Sequence, residues 1–165
     1  VVRVVAVGFG RLPGGGGAPL VRYPALRVWV PVQIGTVGDL ASIMCSLLTN
    51  QLYLGTYGPT LSNPGVRANV VAVFALAATV FSAVGVAAWA LGAVLGGGLD
   101  LGRVLAISLG SGMLLAVLVV TTSIVAVEAS YRVGLNPDDT TIPIVTNVCD
   151  VVGVVILFGV VTLVL

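Results

Sequence analysis

The stretch Ile142-Pro-Ile-Val-Thr-Asn-Val-Cys-Asp-Val-Val-Gly153 decides the fold, because it opens a run that stays apolar to Leu165 and still holds a carboxylate, Asp150. About 20 apolar residues suffice for a helix to cross a bilayer. The run is preceded by Asp138-Asp-Thr-Thr141, which reads as a helix start. Its side-chain oxygens can cap free N–H groups, its acids suit the positive end of a helix, and Pro143 is tolerated in a first turn. This segment therefore reads as a spanning helix reaching Leu165, with an ionisable group about ten residues inside it.

Three more such segments lie upstream. Residues 105–127 carry no charge and end at Glu128, Ser130, Tyr131 and Arg132, after which Gly134, Asn136 and Pro137 break the helix. Residues 68–95 are also uncharged and are closed by Gly96, Gly97 and Gly98 before Asp100 and Arg103. Between 28 and 66 the one charge is Asp39, and Tyr53, Tyr57 and Pro59 suit a headgroup boundary, so the first helix is placed at 24–54. Small residues recur along the spans (Gly85, Ala88, Gly92; Gly110, Gly112; Gly153, Gly159), where they allow helix backbones to approach closely in lipid.

Composition agrees. The chain is 58% hydrophobic and 8% charged, with a mean hydropathy of +1.18, against roughly 25% charged residues in a soluble domain. Seven arginines and six acids cannot coat a globule of 165 residues. The expected fold is all-α, a polytopic transmembrane helical bundle with four clear spans plus a remnant of a first helix. Residues 1–9 are apolar but interrupted by Arg3 and too short to span, so 1–22 is read as that remnant with a Gly-rich loop, Gly14 to Gly17. Residues 23–165 are read as one transmembrane domain. Arg22, Arg27 and Arg103 fall on one side and Arg67 and Arg132 on the other, too even a split for the positive-inside rule to orient.

Several functions are set aside. A net charge of +1 without a single lysine gives no field for nucleic acid. Cys45 and Cys149 lack the spacing of a zinc or redox motif, and with no histidine in the chain they read as small buried residues. An enzyme is not expected: there is no nucleophile-base pair, no HExxH, and the glycine run lacks the Lys-Ser/Thr of a phosphate loop.

The intramembrane acids carry the chemistry. Thr146 at i−4, Asn147 at i−3 and Gly153 at i+3 share a helix face with Asp150, giving one polar stripe of the kind that lines a pore. The plainer alternative is a protonated or arginine-paired acid that ties helices together, but no arginine lies at matching depth in another span. Asp39 is flanked on its face by Gly35, Thr36, Ser42 and Ser46, and Gly35 and Gly38 would let this helix either unwind toward an ion or pack closely. The plainer alternative here is a packing face with a polar staple.

These residues resemble a known family. The segment from Tyr23-Pro-Ala-Leu through Gly35-Thr-Val-Gly-Asp39 to Leu52-Tyr-Leu-Gly55 is similar to the second transmembrane helix of MgtE-type magnesium transporters. Gly134-Leu-Asn-Pro-Asp-Asp, Ile142-Pro-Ile-Val-Thr146, Asp150 and Gly153 look like that family's final helix. The resemblance runs over about residues 23–165 and extends to the related solute-carrier magnesium transporters. It implies a five-helix pore domain, a homodimer or a heterodimer with a paralogous chain, in a cell membrane. It also implies Mg²⁺ as the transported ion, with Asp150 as the main ion-site carboxylate and Thr146 and Gly35 or Gly38 as lining. Asp39 stands where asparagine is usual, Leu47 where arginine is common, and Ile142 where bacterial relatives often have asparagine. Two other functions remain open from the residues: a proton- or sodium-coupled carrier with Asp150 as relay, and a non-transporting assembly subunit.

Overall fold

Each long apolar run becomes one helix in the computed structural model, which describes residues 24–57, 63–94 and 100–164. They are α1 (Pro24–Tyr53), α2 (Pro64–Val94), α3 (Leu101–Val133) and α4 (Pro137–Val164). All four are long and apolar enough to cross a membrane, and the chain is a multi-pass membrane protein. The proposed remnant at 1–22 lies outside the described residues, as do Pro59 and the 96–98 glycines.

Polar residues extend α3 beyond its apolar core, through Glu128, Ser130, Tyr131 and Arg132. At 1.5 Å per residue α3 is about 50 Å long against a hydrocarbon thickness of about 30 Å, so it tilts or projects. Caps fix the ends. Asn63 accepts from Gly65 N at 2.9 Å ahead of α2, and Asp100 accepts from Gly102 N at 3.1 Å ahead of α3. Helix α3 ends at Gly134, whose φ of 76° is the left-handed conformation that glycine adopts without a Cβ penalty. Its N–H returns to the carbonyls of Ser130 and Tyr131.

The start of α4 differs from the sequence expectation. Asn136, not the Asp138-to-Thr141 run, receives the first free amide, that of Asp138 at 3.3 Å. Asp138 and Asp139 then fill the first turn, and Pro143 falls inside the helix, beyond that turn. The acids still sit at the positive helix end; only the cap has moved upstream.

Helices α1 and α3 pack along each other and along both remaining helices, whereas α2 and α4 sit on opposite flanks. One apolar cluster gathers Met44, Leu48, Phe81, Leu115 and Val119, and another gathers Trp29, Ile107, Leu157 and Phe158. Small residues make the closest contacts: a Cβ on Gly112 would lie 2.2 Å from the Phe81 ring, and one on Gly85 would lie 3.1 Å from Ser108 Cβ.

Buried polar groups are placed between helices rather than toward lipid. The Gln33 amide, fully buried on α1, donates to Ser108 O at 3.1 Å and to Ser111 Oγ at 3.0 Å on α3. The Ser108 hydroxyl lies 3.3 Å from Gln33 Oε1 and 2.7 Å from the Phe81 carbonyl of α2, so its proton joins three helices. Both cysteines are free and buried, as the sequence suggests. Cys45 faces Ser123 at 3.5 Å and Cys149 faces Thr122 at 3.7 Å, so adjacent α3 hydroxyls meet one thiol from each side. Past the end of α1, burial, reinforced by the Glu128 carboxylate, pushes the Tyr57 phenol up from its ordinary value.

Gly112→Ala forces a methyl into the Phe81 ring and is expected to cost about 1–3 kcal/mol. Gly159→Ala, with nothing within 4 Å of the added carbon, is expected to be neutral or slightly stabilising. Thermal midpoints of the two variants in one detergent, side by side, check this.

Candidate functional site

The two mid-span carboxylates belong to the packed pair α1 and α4. Counting from each helix start, Asp39 is residue 16 of the 30 in α1 (39 − 24 + 1), and Asp150 is residue 14 of the 28 in α4 (150 − 137 + 1). Both sit at the midpoint of their helix. They are also level with each other, because Asp150 Oδ1 lies 3.6 Å from where a Cβ on Gly38 would be, and Asp39 is the next residue. A methyl at Gly38 would meet the carboxylate at ordinary contact distance, whereas a longer side chain would take its place.

The face of α1 that follows Asp39 is exposed. Gly35 and Asp39 are exposed and Thr36, Ser42 and Ser46 half-buried, while Val37, Leu40, Ala41 and Met44 form the buried side. On α4, Thr146 and Asp150 are half-buried, and Pro143 and Asn147 are exposed. Among the described residues Asp150 has no ion pair or hydrogen bond; the one salt bridge joins Arg132 to Glu128 at 2.7 Å, within one turn of α3. The arginine-paired alternative for Asp150 therefore has no partner in the described fold.

Three hydroxyls and one amide around the acids donate to their own helices. Thr36 donates to Val32 O at 2.8 Å, Ser42 to Gly38 O at 3.0 Å and Thr146 to Ile142 O at 2.9 Å. Asn147 Nδ2 donates to Pro143 O at 2.6 Å, a residue that has no N–H of its own. What the three hydroxyls leave free is oxygen lone pairs, and Asn147 keeps its carbonyl oxygen together with one N–H. A face of acceptors and two carboxylates is suited to a cation with its hydration shell, since hard ions take oxygen ligands and water molecules donate to acceptors.

The structure thus brings Gly38, Asp39 and Asp150 together at one level, with Thr146 and Asn147 about one turn away along α4. Gly35 is less engaged. Nothing lies within 4 Å of a Cβ built there, and α1 runs as unbroken helix through both glycines, so it packs at Gly38 and does not unwind. The sequence reading does not single out Gln33, Ser108 or Ser111. Their signal was available in the i, i+3 serine pair of α3 and in an amide deep within an apolar span.

Four apolar spans with level acids on one packed pair define a polytopic membrane protein built to handle cations. The sequence model of the MgtE family, described as divalent cation transporter, matches residues 30–160, and the chain belongs to that family. Among curated proteins and among solved structures, none matches the chain.

Gly38 gives a steric test of the site. Gly38→Ala adds a carbon at ordinary contact distance from Asp150 and is expected to preserve divalent-cation uptake into proteoliposomes. Gly38→Leu, which must push the carboxylate away, is expected to lower it severalfold while leaving Gly35→Ala near wild type.

Proposed function

We propose that the chain carries magnesium across the membrane as a largely hydrated ion, along the face shared by α1 and α4, in an assembly of two copies. The observation that carries this reading is that Asp150 Oδ1 lies 3.6 Å from where a Cβ on Gly38 would be, which sets two mid-helix acids level. An acid at the centre of a spanning helix costs about 2.5–3.5 kcal/mol against hydrocarbon, so an exposed Asp39 calls for water or a partner rather than lipid.

Four helices leave that face open along one side. A second copy related by a twofold axis would cover it and bring a second Asp39 and Asp150 to the same level, giving four carboxylates around one path. A chain paired with a paralogous subunit would close it in the same manner. Mg²⁺ releases water reluctantly and is normally held by one or two carboxylates with several waters retained. A path with few direct ligands and many acceptors meets that requirement, with Asp150 as the main ion-site carboxylate. Asp39, Thr146 and Asn147 would act through the ion's waters, and Gly35 and Gly38 would leave room for them.

Expression in a host that cannot grow without added magnesium tests the reading. Wild type is expected to restore growth at low magnesium, Asp150→Ala to abolish the rescue, and Asp39→Asn to reduce it. Undiminished rescue by Asp150→Ala would overturn the assignment. Flux that stops when the proton or sodium gradient is collapsed would move Asp150 to the role of a coupling relay, and full flux in Asp150→Asn would leave it a purely structural one.

A further inference from the structure

The orientation of α1 about its own axis is not set by hydrophobicity. Its exposed side carries Val32 and Ile43 and its buried side Val37, Leu40 and Met44. Lipid tails are as apolar as leucine, so these apolar residues do not choose between the two sides; Asp39, on the same side as Val32 and Ile43, disfavours burial but leaves a range of rotations open. Something else must narrow that range and set Gly38 at the level of Asp150.

We infer that Gln33, clamped by Ser108 and Ser111, is the positioning residue that fixes the rotation and depth of α1 and thereby presents Asp39 and Gly38 at the candidate site. Three of the amide's hydrogen-bonding positions are used: Nε2 reaches Ser108 O and Ser111 Oγ, and Oε1 faces the Ser108 hydroxyl. An amide turned to lipid would find none of these partners, so a single rotation of α1 satisfies it.

The clamp is itself anchored. Ser108 also reaches the Phe81 carbonyl of α2. Ser111 donates back to the carbonyl of Ile107, which leaves its lone pairs for Gln33. The frame that holds both serines is stiff, because Gly112 takes the Phe81 ring and Gly85 lies against Ser108. From Gln33, Asp39 is about 9 Å along the axis and about 120° around it, so a slip of one residue, about 100°, turns the acid off its face. What the presented face is for rests on the magnesium reading above; how it is presented does not.

Cysteine labelling separates the two. In a Cys45→Ala, Cys149→Ala background held in lipid nanodiscs, single cysteines at Asp39 (exposed) and Leu40 (2% exposed) are alkylated with N-ethylmaleimide. With Gln33 in place the first reacts much faster than the second. In Gln33→Met, which keeps length and apolar packing, the ratio of rates is expected to fall by about tenfold, the change that losing two or three interhelical hydrogen bonds in lipid converts to. Ser111→Ala, which removes one of the bonds, is expected to lower it by a smaller factor and carries the test if Gln33→Met is not monodisperse. An unchanged ratio in either monodisperse variant overturns the proposal. The protein with Gln33 in place separates the two readings: a thiolate reacts only in water, so equal rates at the two positions there overturn the wetted face on which the magnesium reading stands, whereas a high ratio that Gln33→Met leaves unchanged overturns the clamp alone.

Discussion

An aspartate halfway along a spanning helix has to be kept from hydrocarbon, and the seam between α1 and α4 is arranged around that need. Asp150 lies beside Gly38, one of the two glycines of α1, and Asp39 follows at the same level. Neither acid is neutralised by an arginine within the described fold, where the one ion pair lies near the end of α3. No arginine of the described fold is spent on either acid, which suits the proposed cation path better than a structural tie.

The surrounding polarity has a direction. Hydroxyl groups in helices usually return their proton to a carbonyl one turn back, a habit that costs the helix little. Here that habit is repeated at Thr36, Ser42 and Thr146, and the Asn147 amide fills the same role at Pro143. The effect is to turn otherwise neutral side chains into acceptors on a face that already carries two acids. Inside the bundle Ser111 and Thr122 keep the same habit and turn their lone pairs to Gln33 and Cys149, whereas Ser108 sends its proton across to the Phe81 carbonyl of α2.

Helix number, order and approximate bounds were legible because uninterrupted apolar runs bounded by Gly, Pro and paired charges leave few other folds. The acids were legible for the same reason, since a charge within such a run stands out against its background. Helix ends were less so. The Asp138-to-Thr141 run offers four good capping side chains, and the choice of Asn136 depends on how the left-handed turn at Gly134 delivers the chain to α4. The division of labour between Gly35 and Gly38 was not legible at all, because it depends on which neighbour crosses α1 at that level. Gln33 escaped notice because an uncharged amide contrasts weakly with its surroundings, although its burial is complete.

The connection between α3 and α4 has a bearing on how the protein is made. Only Gly134, Leu135 and Asn136 separate the two helices, and the turn is closed by the amides of Gly134 and Leu135 returning to α3 carbonyls. A nascent α4, carrying an acid at its centre, therefore never meets the bilayer alone: α3 is already beside it, with Thr122 placed against Cys149 next to that acid. Insertion as a pair spares the least apolar stretch of α4 a solitary passage into lipid, so the tight corner serves biogenesis as well as architecture.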